Sequence, residues 1–239
     1  MKPGLKQWNV IHCMESFTNT KTMNNIFGRI LITAPTEAEL KPLADLISAK
    51  DAPGLYLHVS GIGTPKSMFS LMHLLENENF DLMVQVGVAG TFSPGQYPNG
   101  TIVMVKEDQF ADILIDNNGR PKKLADLGFM DYNEFPFNNG VLQNESPIVF
   151  KEKLNEVRSI TVNSTTGSTG IMQQRLELFD PEIESMEGAA FFYVALMRGI
   201  PCIQLRAVSN PVGERNTKSW DIPLALQNLH AFLKQELLP

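Results

Sequence analysis

The chain has 239 residues, 43% of them hydrophobic, which is enough for one sizeable α/β core and short for two independent ones. Its 26 acidic against 20 basic residues give a net charge of -6, which argues against nucleic acid or an anionic membrane as the main partner and points to a small ligand. No apolar run has the length of a membrane helix and the polar start has no signal-peptide apolar region, so a soluble, cytoplasmic protein is expected.

Residues 1–26 show no clear hydrophobic period and read as an extension, either flexible or an artefact of start-site choice, with Met23 as the later candidate start. From Arg29 the pattern becomes regular. RILITA reads as a buried strand and TEAELKPLADLIS as a helix with Leu40, Leu43, Leu46 and Ile47 on its apolar side. LYLHVSG is the next strand. Gly61 and Gly63 then turn the chain into the helix TPKSMFSLMHLLE, with Thr64 as expected N-cap, Pro65 at the first position, and Met68, Phe69, Met72 and Leu75 as an expected apolar stripe. DLMVQVG follows as a strand.

TIVMVKEDQF and ADILID read as strands, while the stretch from Asn117 to Asn144 is rich in Gly, Asn, Pro and Asp and is expected to be an insertion near a site. SITVNSTTG reads as a strand ending in a polar loop. The last unit runs helix (GAAFFYVALMRG), strand (PCIQLRAVSN), loop and helix (LALQNLHAFLKQELL), with Leu226, Leu229, Leu233 and Leu237 on one face. This alternation predicts a mostly parallel sheet flanked by helices, with ligands at the carboxyl ends of the strands.

Polar clusters fall at four predicted strand ends and should converge there: Thr36, Glu37 and Glu39; Gly87 to Thr91; Asn163 to Ser168; Ser209 and Asn210. In ESMEGAA, Glu187 stands before a run of tiny residues and an apolar helix. Buried there without a partner it would cost roughly 3 kcal/mol or more, so either a ligand, a dedicated donor or the helix dipole must meet it. Glu39 and Glu187 form a pair of acids able to divide water activation from sugar binding, although Glu39 alone would read as a solvated helix acid. The glycine segments SGIG and VGVAGT allow backbone amides to approach a ligand, and each is equally compatible with a tight turn. The histidines at 12, 58, 73 and 230 lie far apart and Cys13 and Cys202 show no metal or redox spacing, so no metal and no cofactor are expected.

TEAE, SGIG, VGVAGT, SMEGAA and RAVSN, in that order, make the chain from about Arg29 to its end resemble the nucleoside phosphorylase and nucleosidase superfamily. The resemblance implies a single-domain, three-layer phosphorylase/hydrolase-like α/β fold over residues 27–239, with a central, mostly parallel mixed sheet. It also implies a small-molecule nucleoside as substrate and a homodimer or higher homo-oligomer. The segment RAVSNPVGERNTKSWDIPLAL resembles the futalosine-cleaving branch most.

By that resemblance Glu39 matches the acid that activates the attacking water, Glu187 the acid that binds the ribose hydroxyls, and Met186 the residue packed on the sugar. Gly87, Val88, Ala89 and Gly90 would supply backbone around the sugar; Thr165, Thr166, Ser209 and Phe110 would line the site. Asn210 replaces the aspartate of the methylthioadenosine nucleosidases, and an amide suits a 6-oxopurine leaving group as an acid suits a 6-aminopurine. A structural Asn capping the turn before Pro211 is the other reading. Arg215, Lys218 and Trp220 are candidates for a carboxylated aromatic tail, or plain surface and core residues. The early-loop arginine of the phosphate-using members is missing after the first strand, which favours water as nucleophile. A nucleoside phosphorylase, a methylthioadenosine/S-adenosylhomocysteine nucleosidase and a non-catalytic nucleoside-binding protein are the alternatives.

Overall fold

The computed structural model describes residues 27–50, 54–144, 150, 154–213 and 217–237; the extension read for residues 1–26, Arg215, and the side chains of Leu46, Ile47 and Leu237 lie outside them. The strands are β1 (Ile30–Ala34), β2 (Leu55–Val59), β3 (Leu82–Thr91), β4 (Ile102–Phe110), β5 (Leu114–Ile115), β6 (Lys122–Lys123), β7 (Leu142–Gln143), β8 (Asn155–Thr161), β9 (Ile183–Ser185) and β10 (Cys202–Pro211). The helices are α1 (Glu37–Lys50), α2 (Thr64–Asn77), α3 (Thr169–Phe179), α4 (Gly188–Arg198) and α5 (Ile222–Leu237).

The pairs β1–β2, β1–β3, β3–β10, β4–β8 and β8–β9 run parallel, and β4–β10, β3–β9 and β4–β7 antiparallel. The result is the mostly parallel mixed sheet that the alternation predicted. Because β10 pairs with both β3 and β4 while β9 joins β8 to β3, the strands β3, β10, β4, β8 and β9 close into a ring, with β1 and β2 continuing the sheet outward. Near-continuous Val, Ile and Leu runs are what strands covered on both faces require. Leu40 and Leu43 of α1 and Ala225, Leu229 and Leu233 of α5 pack on one side with Ile30, Ile32, Val84 and Leu205. Leu71 and Leu75 of α2 and Phe191 and Phe192 of α4 pack on the other side with Leu31, Met83 and Val105.

Several sequence expectations change. VGVAGT is not a turn: β3 continues through it to Thr91. ADILID contributes only Leu114–Ile115, paired with Lys122–Lys123. The N-cap of α2 is Gly63, and Thr64 is its first residue, its amide donating to Asn163 Oδ1 at 2.9 Å. The buried face of α2 is Ser67, Leu71 and Leu75, whereas Phe69 is 73% and Met72 45% exposed. The expected stripe is therefore rotated by about one residue. Helix α3, which the sequence pattern did not show, begins on a Ser168 cap, Ile171 N–H donating to the serine oxygen at 3.3 Å.

Candidate active site

The four polar clusters do converge. Members of all four, among them Thr36 and Glu39 but not the exposed Glu37, line one cavity of about 320 Å³ that also takes in Met186, Glu187, Trp220, Ile222 and Leu226. Val88, Ala89, Gly90, Thr165, Thr166, Ser209 and Asn210 all reach it. A bulge in the β3–β10 ladder, between Val208 and Asn210, breaks the strand's alternation where Ser209 and Asn210 enter the cavity.

Glu39 owes its position to the start of α1. Its Oε2 accepts from the Thr36 amide at 3.0 Å and from the Thr36 hydroxyl at 2.6 Å, the reciprocal side of a capping box, while Oε1 lies 3.3 Å from the Val88 amide. The carboxylate is thus a cap and a cavity wall at once. Gly87 does not line the cavity. It lies beneath it, where a Cβ would stand 2.7 Å from Arg206 Nη1 and 2.9 Å from Glu39 Oε1, so the close approach of these two groups requires a glycine.

Glu187 sits at the N-cap of α4 but caps nothing with its side chain. Its Oε1 accepts instead from the amide of Gly63, the N-cap of α2, at 2.8 Å. That amide is presented by a φ of +85°, which explains the second glycine of SGIG. Burial raises the affinity of Glu187 for a proton, opposed mainly by the Arg206 cation and the Gly63 amide and reinforced by the charge of Glu39.

Arg206 is one of two residues that sequence reasoning missed. It is fully buried on β10, with Nε donating to Gln204 Oε1 at 2.9 Å and Nη2 to Gln85 Oε1 at 2.5 Å. Nη1 makes no protein hydrogen bond among the described residues. Burial lowers the pKa of the guanidinium, and the charges of Glu187, Asp108 and Glu39 oppose that. A cation in the middle of the apolar run PCIQLRAV is a signal in itself, since arginine is rarely buried unpaired. Glu184 was also missed: it lines the cavity as a third carboxylate, held by the Thr166 amide at 2.9 Å and by Arg175 Nη1 at 2.8 Å. Arg175 also ties Asp112 and the Ser164 carbonyl, which fixes the loop from Asn163 to Ser168.

Asn210 is already half satisfied. Its Oδ1 accepts from the Ser209 hydroxyl at 2.8 Å and its Nδ2 donates to the Pro211 carbonyl at 3.0 Å, leaving one amide hydrogen and one oxygen lone pair for a ligand. Phe110 does not line this cavity. It packs at 6.4 Å against Tyr193 and faces a separate recess of about 70 Å³ with Lys123, Tyr132 and Phe179, because β4 turns it away from the carboxyl ends of β3 and β10. Lys218 is exposed and is not among the lining residues. Among the described residues no group of three or more His, Cys, Asp or Glu is arranged as metal ligands, and no helix is long and apolar enough to cross a membrane.

Two carboxylates facing one apolar-walled cavity, with a buried cation behind them, can stabilise positive charge developing on a sugar and polarise a water beside it. Comparison with known proteins agrees with that chemistry. Residues 29–237 match the Phosphorylase superfamily. The chain is 27% identical over 191 residues to the futalosine hydrolase of Streptomyces coelicolor, covering 74% of this chain and 80% of that protein. It is 30% identical over 173 residues to the aminodeoxyfutalosine nucleosidase of Campylobacter jejuni, covering 70% and 72%. The fold matches the futalosine hydrolase structure of Helicobacter pylori with a TM-score of 0.72 over 89% of this chain and 98% of that one, at 16% identity.

Proposed function

This chain belongs to the phosphorylase superfamily, and from that premise we propose that it hydrolyses the N-glycosidic bond of futalosine, releasing hypoxanthine and dehypoxanthine futalosine for menaquinone synthesis. The observation that carries the reading is the composition of the cavity wall: Glu39 and Glu187 face it, and among the described lining residues none is cationic. A phosphate dianion would meet carboxylates there, whereas water would meet a base.

Glu39 Oε1 polarises the water that attacks the anomeric carbon. Glu187 accepts from the ribose hydroxyls while the Gly63 amide holds its orientation, and Met186 packs on the sugar. As the bond to the purine lengthens, positive charge grows on the ribose ring and negative charge on the base. The acids stabilise the first, and Asn210 meets the second through its remaining amide hydrogen and oxygen lone pair. Trp220, at the rim of the cavity, covers the aromatic tail.

Product analysis by chromatography of the purified protein with futalosine, inosine and methylthioadenosine, each with and without phosphate, tests this. Hypoxanthine from futalosine independent of phosphate is expected. Ribose 1-phosphate from inosine would make the protein a phosphorylase, and no product from any substrate would make it a binding protein. A 6-amino substrate is the second reading, favoured by the name of the Campylobacter relative. Adenine release in the same assay would establish it.

We also propose a homo-oligomer. Tyr56, Val59, Ile62, Phe69 and Met72 are exposed on β2, α2 and the turn between them, and Ile62 lines the cavity as well, so a second copy seated on this face would dry the mouth of the site. Light scattering should give at least twice the chain mass of 26.6 kDa, and a monomer at micromolar concentration would refute this part.

A further inference from the structure

Asp108, on β4, is fully buried and does not line the cavity. Its two oxygens start two chains of hydrogen bonds. Oδ2 accepts from Gln204 Nε2 at 3.3 Å, and Gln204 Oε1 accepts from Arg206 Nε at 2.9 Å. Oδ1 accepts from the Thr161 hydroxyl at 2.9 Å, and that hydroxyl oxygen accepts from the Ala189 amide at 2.7 Å. The first chain ends on the cation behind Glu39; the second ends on the first turn of α4, whose N-cap is Glu187.

The polarity of the first chain is determined by its ends. Arg206 only donates and an ionised Asp108 only accepts, so the Gln204 amide has one orientation that satisfies both. Space confirms that the arrangement is tight. A Cβ on Gly188 would stand 2.2 Å from Asp108 Oδ2 and 2.3 Å from Gln204 Oε1, so the pair occupies the space that any larger residue at 188 would need.

We infer that Asp108 is a positioning residue for the proposed glycosidic reaction, fixing the Arg206 guanidinium through Gln204 and the Glu187-bearing end of α4 through Thr161. The groups around it support this. Thr161 and Ser159 face it from β8, Gln204 and Arg206 from β10 and Gly188 from α4; the charged partners are Arg206 and, beyond it, Glu39 and Glu187. Burial raises its pKa to about 6, against the opposing pull of Thr161, Arg206 and Gln204, so its charge is sensitive to this network. One cation faces three acids. Removing the charge of Asp108 leaves the Arg206 cation less compensated, so its pull on Glu187, which opposes the effect of burial there, grows and the Glu187 carboxyl gives up its proton more readily.

The inference rests on the nucleosidase reading and has its own readouts. In Asp108→Asn, kcat for futalosine is expected to fall roughly 10- to 100-fold with KM within about threefold, because the Gln204 amide no longer aligns Arg206. The acidic limb of the kcat profile should move to lower pH. A limb that stays in place, or a loss of kcat matched by an equal loss of folded protein in near-UV circular dichroism, overturns the inference. If Asp108→Asn does not fold, Gln204→Met cuts the first chain with the acid retained, and an unmoved limb there overturns it equally. If the wild-type chain cleaves no nucleoside, the nucleosidase reading falls. The pH dependence of calorimetric affinity for a C-nucleoside analogue of inosine then decides: a shift in Asp108→Asn upholds the positioning role, and an unshifted profile ends it.

Discussion

Glu39→Gln should lower turnover of futalosine by about 10³-fold while leaving the fold and ligand affinity intact, within the 10²- to 10⁴-fold range of general acid–base catalysis. The separation of effects follows from the two jobs of this side chain. Oε2 closes the capping box at the start of α1, with the Thr36 amide and hydroxyl both donating to it. A glutamine oxygen can accept the same two bonds, so the helix start survives. Oε1, beside the cavity and the Val88 amide, carries the charge that polarises water, and a neutral amide has no comparable basicity. Single-turnover kinetics with calorimetric affinity for hypoxanthine measures both. Wild-type turnover in the variant would remove Glu39 from the mechanism, and lost binding with lost helix content would reduce it to a cap.

Asn210→Asp should exchange the preferred base. The amide offers one donor and one acceptor in fixed positions, which fits a 6-oxopurine that accepts at O6 and presents a protonated N7 as it leaves. A protonated aspartate donates to N7 and accepts from a 6-amino group. Sites that leave a buried polar group mispaired discriminate by up to about 10⁴, so the ratio of kcat/KM for futalosine to that for its 6-amino counterpart should shift by several orders of magnitude. The change is isosteric, and the Ser209 hydroxyl can still donate to the acid oxygen as it does to Asn210 Oδ1. A ratio that moves by less than about threefold would leave Asn210 with only its turn, where Nδ2 already holds the Pro211 carbonyl.

Where period and chemistry coincided, the sequence was legible. The strand runs, the alternation and the clusters at strand ends led to the sheet and to most of the cavity wall, because ligand sites in such sheets follow from strand direction. Helix α3 was hidden because its buried residues are Arg175 and Phe179 rather than an apolar stripe; ion pairs of Arg175 with Asp112 and Glu184 hold it in place. The stripe of α2 was misread because Phe69 and Met72 are apolar yet outward-facing, and hydrophobicity alone does not separate a core from an exposed face. Phe110 was misplaced for a related reason, since a strand-end aromatic can point to either side of the sheet. Arg206 was overlooked although its position among apolar residues marked it. Gln204 lies two residues before it on the same strand, but its other partner, Gln85, comes beside it only when β3 pairs with β10.

That closure also governs how the sheet can meet other chains. Each of the five ring strands has neighbours on both sides, so their backbone groups are withheld from strand exchange and from the edge-to-edge stacking that seeds aggregates. Apart from the two-residue β7, the edge left in the main sheet is β2, five residues long and paired only with β1. A short edge is poor template for such growth, and β10, which carries both Asn210 and Arg206, is separated from it by β3 and β1.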